Sequence, residues 1–117
     1  MKTFRDLKVW EKAHKLVLEI YKITKEYPQE EKFGIISQLR RSASSVPTNI
    51  VEGFKRRSER DYGRFLNLAD ASLEETKYHI ILSKDLGYLQ EERFTEINKM
   101  CDEVGKMLYG LQKKLNP

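Results

Sequence analysis

The chain has 117 residues, of which 39% are apolar and 34% charged, with a net charge of +4 and one cysteine, Cys101. That length suits one domain, 1–117, and no stretch nears the ~18 uninterrupted apolar residues of a membrane span. A single cysteine excludes an intramolecular disulfide, and Met1 to Asp6 lead into no apolar signal core, so the expected compartment is the cytoplasm.

The first predicted helix begins at Asp6, a residue type suited to the N-cap, and runs to Tyr27, where Pro28 stops it. At 100° per residue, Leu7, Trp10, Leu16, Leu18, Tyr21 and their apolar neighbours span roughly 220°, well beyond the ~100° stripe that one bundle core needs. The surplus width predicts a second buried surface, against another subunit. After a polar connection from Pro28 to Lys32, a second helix places Ile35, Ile36, Leu39, Ala43, Val46, Ile50 and Phe54 on one face. Pro47 lies inside it and predicts either a kink or two shorter helices meeting at Ser45-Val46. Its outer face interleaves small hydroxyls with bases: Ser37, Arg41, Ser44, Thr48 and Lys55.

Ser58 with Asp61 resembles a capping box with a shortened acid and opens a third helix. That helix buries Tyr62, Phe65, Leu66, Ala69, Leu73, Thr76, Ile80 and Ser83, with Gly87 as its C′ residue. In the fourth, Phe94, Ile97, Cys101, Val104, Leu108, Leu111 and Leu115 recur every three or four residues, the period of a knobs-into-holes seam. Short connections make successive helices antiparallel. The expected fold class is all-α, an up-down-up-down four-helix bundle.

Chemistry is sparse. A di-iron carboxylate bundle needs two inward Glu-x-x-His pairs; Glu11 to His14 matches the spacing once, with Glu11 among charged residues, and His79 has Thr76 in place of the Glu. Both histidines read as boundary residues, and Cys101 as a small hydrophobe. Neither a Gly-rich phosphate loop nor a Ser–His–acid set can be assembled, so the expectation is no enzyme, no cofactor and no metal. Charge is more informative. Between positions 40 and 64 stand seven bases, Arg40, Arg41, Lys55, Arg56, Arg57, Arg60 and Arg64, against three acids, whereas the rest of the chain holds fifteen of each. Such local concentration suits a polyanion. Arg41 and Lys55 share a face ~21 Å apart, a spread suited to a phosphate backbone, with Ser37, Ser44 and Thr48 as hydrogen-bond donors between them. No set of base-reading side chains is evident, so contact by shape and charge is expected. Arg40 borders the apolar face and is the base most suited to bridging subunits, while Asn49 and Glu52 read as structural.

The runs Phe4-Arg5-Asp6-Leu7-Lys8-Val9-Trp10, Ser37 to Ala43 (SQLRRSA), Val46 to Gly53 (VPTNIVEG) and Arg64-Phe65-Leu66 resemble the bacterial four-helix-bundle proteins encoded in intervening sequences of 23S ribosomal RNA genes. The resemblance covers nearly the whole chain, which departs from it at Ala71, where the family usually has Gly, and at Thr76, often Leu. It implies a ring-like homopentamer and kinship with accessory proteins of diversity-generating retroelements, which bind nucleic acid and a reverse transcriptase; no enzymatic activity attaches to it. The sequence thus predicts a homo-oligomer contacting nucleic acid, RNA in the first instance, through the basic residues. The alternative is an adaptor whose basic surface binds an acidic or polymerase partner.

Overall fold

The structure, a computed structural model, describes residues 3–115. Four helices dominate: α1 (Lys8–Thr24), α2 (Ile35–Phe54), α3 (Glu59–Asp85) and α4 (Glu91–Leu115), and no strand occurs among the described residues. Helix α1 packs on α2 and α4, and α3 packs on the same two, so α1 and α3 stand diagonally across the bundle. Cross-helix pairs run in opposite directions. Ser42 meets Thr76 and Ser45 meets Ser72 between α2 and α3; Lys12 meets Glu103 and Glu19 meets Arg93 between α1 and α4. This is the antiparallel bundle that the short connections predict.

The apolar faces fill the centre. Leu16, Ile20, Leu39, Ile50, Leu66, Leu73, Ile80, Ile97 and Leu108 are fully buried, and Cys101 lies among them. Phe54, Tyr62, Phe94, Leu111 and Leu115 pack half-buried at the ends of the seams. No helix among the described residues is long and apolar enough to cross a membrane.

Local signals mostly act where the sequence puts them, with informative exceptions. Asp6 does not cap α1. It closes a 3-10 turn at Phe4–Asp6, where its carboxylate accepts from the Thr3 N–H and Thr3 Oγ1 accepts from the Arg5 N–H. Leu7 takes the N-cap place of α1 with no side-chain bond. Helix α1 ends at Thr24, three residues before Tyr27, whose ring is buried against Tyr88 in the connection. Helix α2 runs unbroken through Pro47, so the two-helix alternative falls. Ser58 accepts from the Asp61 N–H at 3.1 Å, the forward half of a capping box. Gly87 adopts φ +83°, while its N–H and that of Tyr88 bond the Lys84 and Ser83 carbonyls; this is the Schellman arrangement, which a left-handed glycine permits.

Candidate nucleic-acid interface

The turn between α2 and α3 is shaped by close helix approach. At Gly53 an added Cβ would lie 2.9 Å from the Phe65 Cβ and 3.2 Å from the Tyr62 carbonyl oxygen, so only glycine lets α2 end this near α3. The chain then turns within four residues, 55–58, into Ser58. Five of the seven predicted bases gather here: Lys55, Arg56 and Arg57 on the turn, Arg60 and Arg64 on the first two turns of α3.

Two of the five are fixed. The Arg56 and Arg64 guanidiniums lie 4.5 and 4.7 Å from the centroid of the Phe65 ring, and each also meets a carboxylate, Glu52 at 3.2 Å and Asp61 at 3.9 Å. Phe65, predicted as core, is instead a half-buried platform that holds two cations. Lys55, Arg57 and Arg60 are exposed and have no side-chain partner among the described residues. The turn therefore presents three free cations beside two positioned ones.

Arg40 and Arg41 stand apart, 14 or more residues away along α2, or ~21 Å. The Arg40 Nε donates to Thr24 Oγ1 at 2.8 Å, and its guanidinium lies 4.4 Å from the Tyr21 ring centroid. Thr24 in turn donates to the Ile20 carbonyl at 2.7 Å. Arg40 is thus engaged at the C-terminal end of α1, where the helix dipole favours a cation. Arg41 donates to Gln38 Oε1 at 2.7 Å and lies 3.6 Å from Glu75 of its own chain. Two of the three predicted hydroxyl donors are also committed: Ser44 and Thr48 donate to the Arg41 and Ser44 carbonyls rather than outward, whereas Ser37 is exposed. Asn49 donates to the Ser45 carbonyl, consistent with a structural role.

Topology adds bases that the 40–64 window missed. Gln112 of α4 contacts Asn67 of α3, which brings the last turns of α4 beside the start of α3. Lys113 and Lys114 are exposed there, with Lys106 two turns earlier. The signal was available, because no acid follows Glu103.

The groups considered for catalysis do not converge. Glu11 faces solvent and pairs with Lys15, whereas His14 stacks on Trp10 with rings 5.2 Å apart. His79 contacts Glu75. Burial pushes the Cys101 thiol up to about 12. Among the described residues no three His, Cys, Asp or Glu side chains cluster as metal ligands.

Compared with known families, the chain matches the 23S rRNA-intervening sequence protein family over residues 5–110. It is similar in structure to a protein of unknown function from the S23 ribosomal protein family of Bacteroides thetaiotaomicron, whose crystal structure was determined at 1.70 Å resolution. The two share 29% identity and a TM-score of 0.83, over 90% of this chain and 95% of that one. No curated protein matches.

Proposed function

The chain belongs to the 23S rRNA-intervening sequence protein family, and from that premise we propose a non-enzymatic, self-associating protein that contacts nucleic acid, RNA in the first instance, through the α2–α3 turn. The observation that carries the reading is the set of free cations Lys55, Arg57 and Arg60 next to the Arg56–Phe65–Arg64 stack. An exposed, rigidly started turn bearing mobile cations suits phosphates at varied positions, and offers no constellation for reading bases. The family's name makes ribosomal RNA the natural first ligand to try.

Self-association is supported by two exposed apolar faces. Helix α1 shows Leu18 and Tyr21 one turn apart, and α3 shows Tyr78 and Ile81 likewise, each between 41% and 58% exposed. These helices are diagonal in the bundle, so the patches point in different directions. Pairing α1 of one copy with α3 of the next is a heterologous contact, which closes into a ring when the rotation permits. A pentamer, as the family resemblance implies, is one such closure.

Titration with duplex and single-stranded RNA over a salt series tests the interface. Replacing Lys55, Arg57 and Arg60 with Gln should weaken binding equally across unrelated sequences and flatten the logarithmic salt slope by roughly 0.9 per lost duplex contact. An unchanged slope would refute the assignment. For assembly, Leu18→Glu and Tyr78→Glu should each drive the light-scattering mass toward the 13.9 kDa of one chain; a parent protein already at that mass would refute self-association.

A further inference from the structure

Charge is sorted along the 43 Å axis of the bundle. One pole holds the α2–α3 turn and the end of α4, where Lys55, Arg57, Arg60 and Lys114 have no side-chain partner among the described residues; Glu59 is the unpaired acid beside them. At the other pole the bases are mostly engaged: Lys22 with Glu19, Arg93 with Glu19 and Glu96, Lys84 with Glu91. Lys25 there is unpaired and Lys32 meets only the Phe33 ring, against four unpaired carboxylates, Glu26, Glu30, Asp85 and Glu92. The excess left over is positive at one end and negative at the other.

Shape follows charge. A cleft of about 620 Å³ with Ile23, Tyr88 and Leu89 as its apolar lining carries Glu26, Glu92 and Glu96 against Lys22 and Arg93. Both bases are already engaged by Glu19, and Arg93 by Glu96 too, so Glu26 and Glu92 are the charges left over. Phe33, 88% exposed, and Leu86, 50% exposed, stand on the two connections at this pole, which are tied by the bond from Tyr88 to Glu31. The basic pole offers the opposite form, a tight protruding turn of Lys and Arg. Long basic side chains cover apolar surface with their stems while the charged head meets a carboxylate.

We infer that the acidic cleft is a docking site for the basic turn of a second copy of this chain, so that bundles stack end to end. Both halves of the contact are on one chain, which makes it heterologous and able to repeat. It is distinct from the lateral α1–α3 contact, being polar and axial. An end face of 24 × 20 Å falls short of the roughly 800 Å² per partner of a stable interface. Single contacts are therefore weak and salt-sensitive, with charges screened beyond ~8 Å at physiological ionic strength, and lateral assembly multiplies them. Stacking uses the cations assigned to nucleic acid, so the two compete; that consequence rests on the proposed function, whereas the docking itself does not.

The test uses the full chain freed of nucleic acid. Sedimentation at low salt should show species at least about twice the mass of those at high salt. Glu26→Lys with Glu92→Lys makes both poles basic, and Arg57→Glu with Arg60→Glu makes both acidic; each double variant alone should lose the salt-sensitive species, and an equimolar mixture should restore it. A chain carrying both Glu92→Cys and Arg57→Cys should give a ladder of disulfide-linked chains on oxidation at low salt, since Cys101 is buried. Salt-independent mass in the parent, persistence of the large species in either double variant, or no ladder would overturn the inference. The Glu26→Lys, Glu92→Lys variant keeps the basic turn, so nucleic-acid binding without stacking in the parent would sink this inference alone, and stacking without nucleic-acid binding would sink only the functional reading.

Discussion

Gly53→Ala should destabilise the bundle, although alanine is the better helix former. The new methyl would meet the Phe65 Cβ at 2.9 Å, Tyr62 Cδ1 at 3.0 Å and the Tyr62 carbonyl oxygen at 3.2 Å. Carbon atoms rest at about 3.5–4.0 Å. Two of the three obstacles are a Cβ and a backbone atom, which cannot swing away as a side-chain tip can, so the start of α3 must retreat by several tenths of an ångström. Overpacking of this kind costs about 1–3 kcal/mol. The helix-propensity gain is at most ~1 kcal/mol and smaller here, in the last turn of α2. The net is a loss of about 1–2 kcal/mol, or a fall in Tm of roughly 4–8 °C for a chain of this size.

Gly110→Ala supplies the control, because nothing lies within 4 Å of its added methyl. Only the propensity term acts, and stability should rise by a few tenths of a kcal/mol. Thermal and urea unfolding of both variants decide the matter. A Gly53→Ala protein as stable as the parent, or more so, would refute the argument that glycine is required for close approach. A second readout links fold to site: a displaced Phe65 spreads Arg56 and Arg64, so the folded variant should also bind RNA more weakly.

Other consequences are as direct. Cys101 is buried and its thiol is pushed up to about 12, so labelling of the native protein by a thiol reagent should not accelerate between pH 7 and 9, whereas the unfolded chain should titrate near 8.5; a native rate following that ordinary titration would show the site open. The bond from Arg93 holds the Glu19 carboxyl below its ordinary value of 4.5. A depressed carboxylate contributes stability that is present above the unfolded value and lost as pH falls through the folded one. The difference in unfolding free energy between parent and Glu19→Gln should therefore be up to ~1 kcal/mol at neutral pH and shrink as pH drops below about 4.5; a difference that grows on acidification would exclude the pair as its source.

The fold was legible because burial in a bundle is a periodic property. The seams through Ile97, Cys101, Val104 and Leu108, and through Leu66, Leu73 and Ile80, are buried where the spacing of 3 and 4 puts them. The surplus apolar width of the first helix likewise surfaces as Leu18 and Tyr21. Side-chain commitment was not legible. Arg40 reads as an edge residue, but its partner Thr24 is 16 positions away on another helix, and a period fixes which face a residue shares without fixing what it touches. Asp6 has the chemistry of a cap, and the deciding fact was the upstream Thr3, which drew it into a 3-10 turn. The basic window illustrates the same limit from the other side. Charge summed along the sequence isolates 40–64, which includes two arginines held elsewhere and omits Lys113 and Lys114. Once the antiparallel order is granted, the end of the fourth helix must return to the start of the third. The acid-free tail then joins the basic turn at one pole, leaving the connection carrying Glu26 and Glu30 to meet that flanked by Asp85 and Glu92 at the other. Charge patterning in a bundle is a property of poles, and it becomes readable only after topology has been used to decide which distant segments share one.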